Sequence, residues 1–271
     1  MCPIRASWTH RDLAEGSERT INTGRLRRPR SGATTRSQGS SAACDSAEGS
    51  LDGAAVTFTP RLIAAETDAV AGRWCDLLVL EAVALGVVSS RGIPAARAHV
   101  VERPSHWFLE SERFDRAGAR GRLAVLSLAA VHDDPAHSWA QAAVELRNAG
   151  RLSDEDARRL RWLDAFGALI GNSDRHQFNV LVFPDGARLR LAPAFDQVPM
   201  LYAPSGDGRV PARALAPPRP SSDTLDVWDD ARAAARAFWE RASDDGRVSD
   251  DLRNVCSANA RALLAGQGPS A

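Results

Sequence analysis

The stretch Gly171-Asn-Ser-Asp-Arg-His-Gln-Phe-Asn179, with the Pro193-Ala-Phe-Asp196 that follows it, constrains this chain more than any other feature. Upstream, Ser153 and the acidic Asp154, Glu155 and Asp156 open an apolar-periodic segment running to about Ile170. A serine N-cap and first-turn carboxylates favour a helix start, and Ser153 and Asp156 stand at capping-box spacing. Gly171 supplies the stop. Downstream, residues 180–183 and 188–191 read as two strands, with Pro184-Asp-Gly186 as the turn between them. The expected order is helix, polar loop, hairpin, aspartate. It folds Asp196 back over the loop that carries Asp174 and Asn179.

Composition bears on what that loop can do. All 34 basic residues of the 271 are arginine, so the chain has no lysine. A GC-rich coding bias explains the exchange, but the chemical consequence stands. Arginine serves neither as a Schiff base nor as a neutral amine base, which excludes lysine-based covalent catalysis. With 34 acidic residues the net charge is zero, which argues against a binder of nucleic acid or membrane over its whole surface. Cys2, Cys44, Cys75 and Cys256 are scattered and form no Cys-x-x-Cys pair. That pattern predicts a reduced, cytoplasmic protein with neither a disulfide framework nor a zinc site built on cysteine. No apolar run has the length of a membrane span, and no membrane association is expected.

Residues 1–55 differ from the rest. They are rich in Arg, Ser, Thr and Gly without a sustained period, and Arg25, Arg27, Arg28, Arg30 and Arg36 form a basic cluster. A mostly disordered segment or a few weak strands is expected there. From Val56 the text becomes domain-like. Val56-Thr-Phe58 predicts a short strand ended by Pro60, and residues 73–88 a largely buried helix. Residues 98–101 and 107–110 predict a hairpin leading into Glu112-Arg-Phe-Asp-Arg116. Residues 136–149, 224–242 and about 249–264 predict further helices, and 211–222 a proline-rich loop.

Asp174 and Asn179 are five residues apart, the spacing of the protein-kinase loop Asp-x-x-x-x-Asn. Phosphoryl transfer needs a base near the attacking hydroxyl and ligands that hold Mg²⁺ against the phosphates. An Asp and an Asn on one loop, met by a second Asp beyond a hairpin, offer that set with hard oxygen donors. Asp and Asn are also ordinary turn residues, so the spacing alone leaves a purely structural loop open. His176 fits a metal ligand, a base or a loop brace.

The wording of the loop goes further than its spacing. Gly-Asn-Ser-Asp-Arg-His-x-x-Asn followed by Leu-Ala-Pro-Ala-Phe-Asp resembles the C-terminal domain of HipA-family serine/threonine kinases, the toxin type of bacterial toxin–antitoxin systems. Arg73-Trp-Cys-Asp-Leu-Leu-Val-Leu-Glu81 resembles the family's N-lobe helix, and residues 108–127 its hinge and the strand beyond. Pro199-Met-Leu-Tyr-Ala-Pro204 and Ala237-Phe-Trp239 are similar to the YjjJ-like branch. The resemblance covers about residues 56–265. It implies an α+β, bilobal protein-kinase-like fold: an N-lobe remnant and hinge at 56–116, and a mainly helical C-lobe at 117–265. It further implies ATP and Mg²⁺ as cofactors, Asp174 as catalytic base, and Asn179 and Asp196 as metal ligands. Glu112, Phe114 and Asp115 would contact the nucleotide at the hinge, with His176 beside the phosphates. The implied partners are a Ser/Thr protein substrate and an antitoxin protein, with DNA reached only through the antitoxin.

The chain departs from the family at its cationic positions. Where the family strand reads Val-Lys-Phe-Ser-Pro, this one reads Val56-Thr57-Phe58-Thr59-Pro60. Thr57 replaces a charge-assisted contact with one neutral hydroxyl. Glu81, a candidate partner for that lysine, is expected to lose it. Gln38–Cys44 resembles a Gly-rich loop in which Ala43 and Cys44 replace glycines, and a Cβ there hinders backbone approach to phosphate. An active or weakened kinase, a catalytically dead ATP-binding or protein-interaction module, a small-molecule phosphotransferase and a non-kinase helical domain all stay open at this point.

Overall fold

The computed structural model describes residues 47–51, 54–62, 68–103, 106–117 and 121–265, the strands before residue 68 by backbone alone. Strands β1 (Ala47–Leu51) and β2 (Ala54–Leu62) form an antiparallel pair. Strands β3 (Ala98–Arg103) and β4 (His106–Glu112) complete a four-stranded sheet of order β1-β2-β4-β3. The strand expected to stop at Pro60 continues to Leu62, with Pro60 opposite Phe108. Among the described residues β1 begins opposite Phe58, so Pro60 lies beyond the β1 pairing. β1 falls within the 1–55 segment. The arginine cluster at 25–36 and the stretch 38–44 lie outside the described residues.

Helix α1 (Ala69–Ser90) connects β2 to β3 and packs against β3 and β4. It starts before Arg73 because the Asp68 carboxylate accepts hydrogen bonds from Val70 N and Ala71 N. Leu77, Val79, Leu80, Ala84, Val87 and Val88 are buried in the core. A helix this apolar needs cover on several sides, and α1 takes it from the sheet and from a long C-terminal helix.

Two short ladders lead on from the sheet: β5 (Arg116–Ala117) with β6 (Gly121–Arg122), and β7 (Leu126–Ser127) with β8 (Leu181–Asp185). Between β7 and β8 lie the one-turn α2 (Leu128–Val131), α3 (Trp139–Asn148) and α4 (Asp154–Leu169). β9 (Arg188–Leu191) closes a hairpin on β8. Its turn lies at Gly186-Ala187, one step later than the proline signal suggested. Pro184 pairs with Leu189, and Gly186 takes the left-handed φ of 59°. α3 begins at Trp139 because Ser138 and Gln141 form a complete capping box. Ser153 caps α4 alone, since Asp156 turns inward to accept from Leu191 N at 3.0 Å.

Helix α5 (Leu225–Asp244) packs against α1 and α4, and α6 (Asp250–Ala265) packs against α5. The core is one cluster running from α1 through α4 to α5 and α6. Trp162 stacks on Phe166 at 5.0 Å, Phe166 meets Phe238 edge-on at 6.3 Å, and Phe238 meets Trp239 at 4.7 Å. Such aromatic pairs add to the area they bury. Among the described residues no helix is long and apolar enough to cross a membrane.

Candidate functional site

The loop after α4 is built from its backbone outward. Gly171 takes φ 74°, the left-handed conformation that ends the helix. Asn172 N donates to Gly167 O at 2.8 Å, and Leu201 N donates to Gly171 O at 2.9 Å. Asn172 is 1% exposed and both polar atoms of its side chain are bonded. Its Oδ1 accepts from Asp174 N at 3.0 Å, and its Nδ2 donates to Asp196 O at 3.2 Å. One buried amide therefore holds the backbone at both aspartates that the sequence singled out. The spacing of the motif assigns Asn172 no role. Its signal was an Asn directly after a helix-stopping glycine.

Arg175 is the second residue that spacing arguments missed. Its Nε donates to Asp164 Oδ1 at 3.0 Å, and its Nη1 donates to Asn172 O. Asp164 is buried on α4 and also accepts from Ala140 N at 3.1 Å. It thus ties the loop, α4 and the first turn of α3 together. Gly167 leaves the room this needs, because a Cβ there would lie 2.6 Å from Arg175 Cδ.

Asp174 and His176 stand half-exposed, with His176 Nε2 3.5 Å from Asp174 Oδ1. Trp139 Nε1 donates to His176 O at 3.0 Å, so the histidine's backbone is braced and its ring is free to face outward against Phe178. Asn179 Nδ2 donates to Asp174 O at 3.0 Å. That commits the NH₂ group and leaves the amide oxygen as the atom for a cation. Asn179 lines a small crevice with Pro193, Ala194, Phe195 and Gln197, the residues flanking Asp196.

Asp196 has φ 55°, the one non-glycine residue in the left-handed region among the described residues. Such a conformation costs on the order of 1 kcal/mol and persists where surroundings impose it. Here the surroundings are Asn172 and a backbone clasp, in which Ala194 N donates to Pro94 O and Ala96 N to Ala194 O, each at 2.8 Å. The Asn179 amide oxygen lines this crevice and Asp196 lies on the segment that borders it; both groups are hard oxygen donors of the kind Mg²⁺ takes.

The hinge residues are partly gathered here. Phe114 packs at 6.0 Å from Phe195 and 6.3 Å from Phe183, beside the Asp196 segment. Glu112 ends β4, donating its N–H to Arg97 O at 2.9 Å. The Asp115 carboxylate is engaged by its neighbour. Arg113 Nε and Nη2 donate to its two oxygens at 2.6 and 2.5 Å, and these bonds hold its carboxyl below the usual carboxylate range. Thr57 is fixed by register opposite Ser111, next to the hinge end of β4. Glu81, expected to be left alone by the missing lysine, has an electrostatic or hydrogen-bonding partner in the fold.

A small antiparallel sheet with one helix, followed by a mainly helical part carrying a loop Asp, an Asn and a second Asp, is a bilobal α+β fold of the protein-kinase-like class. The chain belongs to the HipA-like C-terminal domain family, whose model matches residues 59–262. It is 32% identical over 191 residues to Toxin YjjJ of Escherichia coli strain K12, covering 69% of this chain and 43% of that protein. The chain thus spans less than half of that relative's length. Among solved structures it is similar to the Helicobacter pylori proinflammatory kinase CtkA, with TM-score 0.50 and 11% identity over 79% of this chain and 88% of that one. It also aligns with a chain of the Shewanella oneidensis MR-1 complex of HipA, HipB and operator DNA, with TM-score 0.49 and 15% identity over 78% and 57%.

Proposed function

We propose that this protein is a toxin-type serine/threonine kinase that transfers the γ-phosphoryl group of ATP to a protein hydroxyl, at a rate weakened by Thr57. The observation that carries the reading is Asn172, whose one buried amide bonds Asp174 N and the carbonyl of Asp196. In this reading Asp174 takes the proton as the substrate oxygen forms its bond to the γ-phosphorus and ADP departs. Asn179 and Asp196 hold Mg²⁺, which neutralises charge on the phosphates. His176 stands beside Asp174 to contact the phosphates, and Glu112 and Phe114 border the adenine. Residues 56–116 act as the small lobe and 117–265 as the large one. An antitoxin partner and a cytoplasmic setting follow from the family and belong to the same proposal.

A second reading, an ATP-binding module without turnover, is favoured by two observations. Thr57 offers no cation, and Asp115 is engaged by Arg113 rather than open to a ribose. Incubation with radiolabelled Mg-ATP separates the two. Label on the protein or an added substrate, lost in Asp174→Ala, supports the kinase. A signal that persists in Asp174→Ala removes Asp174 as base. Thr57→Lys is expected to raise the rate by orders of magnitude, as single cationic groups do in phosphoryl transfer. Nucleotide binding without label in both proteins selects the second reading.

A further inference from the structure

The loop between α2 and α3 carries a cluster that the kinase reading does not use. His132 closes α2, His137 precedes the cap of α3, and Glu145 lies two turns along α3. His132 Nε2 lies 2.8 Å from Glu145 Oε2, and His137 Nδ1 lies 3.1 Å from Glu145 Oε1. One nitrogen of each ring and a carboxylate oxygen all fall within 4.8 Å of one another.

The other two ring nitrogens also face oxygens. His132 Nδ1 is 3.0 Å from Asp134 O and 3.4 Å from Gln177 Nε2, whose two hydrogens are directed at Asp134 O and His137 O, and His137 Nε2 is 3.3 Å from Asp134 Oδ2. Two neutral imidazoles have only two N–H groups between them. Four nitrogens facing oxygens therefore leave two lone pairs directed at acceptors. His137 Nδ1 shows the conflict: it is a buried atom that makes no hydrogen bond despite its nearness to Glu145.

We propose that His132 Nε2, His137 Nδ1 and a Glu145 carboxylate oxygen bind one divalent transition-metal ion of the Zn²⁺ class. An ion there removes both conflicts at once. Metal-bound histidines characteristically donate their other N–H to a carboxylate or a backbone carbonyl. Asp134 supplies both, its carbonyl to His132 and its carboxylate to His137. Bonds of about 2.0–2.1 Å in a tetrahedron set ligand atoms about 3.4 Å apart, so the hydrogen-bonded distances need open only slightly. Glu145 is half-exposed, which leaves a path for the ion and a fourth position for water.

The place of the cluster says what the ion does. Gln177, in the candidate catalytic loop, donates its amide to Asp134 O at 2.7 Å and to His137 O at 3.1 Å. An ion that stiffens residues 132–138 stiffens the support of residues 174–179. It acts as a positioning element and touches no substrate.

The test uses the full chain with any histidine tag removed. Titration with Zn²⁺ is expected to show a saturable site lost in Glu145→Gln and in His137→Ala, with affinity down about a hundredfold or more. Asp134→Ala is expected to lose about tenfold or more. Co²⁺ in the same site is expected to give the visible absorption of a four-coordinate ion, and Zn²⁺ to raise the melting temperature of the wild type but not of Glu145→Gln or His137→Ala. Circular dichroism checks that each variant is folded. Asp196→Asn is expected to bind Zn²⁺ as the wild type does, which separates this site from the Mg²⁺ ligands. Absence of Zn²⁺ binding, or binding that all three variants at positions 134, 137 and 145 retain, overturns the proposal.

Discussion

Gly167 stands on α4 where a side chain has no room, because Arg175 lies across it and is held at two points by Asp164 and Asn172. A methyl group there must displace a tethered guanidinium. Gly167→Ala is therefore expected to destabilise the protein by about 1–3 kcal/mol. It should also lower any phosphotransfer more than its melting temperature accounts for. Gly72→Ala on α1 is the control, since nothing lies within 4 Å of its added Cβ. That change is expected to be neutral or stabilising by about 0.5–1 kcal/mol. Thermal melts of the two variants, run together, check the contrast. At this scale the sequence showed which residues are chemically able. It did not show that Asn172, Asp164 and Arg175 hold them, because those contacts join α3, α4 and the segment at 196.

The elements were legible where a cap or a glycine marks them. Ser153 and Gly171 each act at the helix end where they stand, whereas the Ser138 cap starts its helix three residues later than the pattern at 136 suggested. The prolines misled, because Pro60 and Pro184 read as strand ends yet lie within β2 and β8. Proline brings no N–H to a ladder, so whether it can sit in a strand depends on whether a neighbour needs a donor there, and that is a property of the sheet. The turn after β4 depends on Arg113 and Asp115. Arg113 lowers the proton affinity of Asp115, so the folded state binds that proton less readily than the unfolded chain. The resulting stability is fully present above the ordinary Asp value of about 3.9 and is lost as pH falls through the lowered folded value. Asp115→Asn is expected to cost up to about 1 kcal/mol at neutral pH and nothing in strong acid. Melting curves at the two pH values measure it; a difference that persists in acid rules out the ion pair as its source.

At the scale of the molecule, one core joins α1 to α4, α5 and α6, and its cysteines report on it. Cys256 is fully buried, and burial pushes its thiol up to about 12. Cys75 on α1 is buried as well. Thiolate is the reactive form, so both are expected to resist alkylation until the protein unfolds. Peptide mass mapping after labelling, with and without denaturant, tests this. Modification of Cys256 in the native protein, at a rate independent of denaturant, contradicts a single closed core. Saturating Mg-ATP is expected to slow the labelling further if ligand binding stabilises the whole fold.

The sequence alone determined the order of helix, loop, hairpin and aspartate, and with it the kinase-like family. Those signals are local: a cap, a stop, a turn and a five-residue spacing each lie within one stretch of chain. The absence of lysine was equally plain in the composition, and the resemblance to the family strand assigned the vacancy to Thr57. Only the tertiary structure decided that one buried Asn172 bonds to both aspartates, that Asp115 is engaged by Arg113, and that Glu81 has a partner. Only it brought His132, His137 and Glu145 together. Each of these depends on where side chains from different elements or turns meet, and no periodicity along the chain encodes such a meeting.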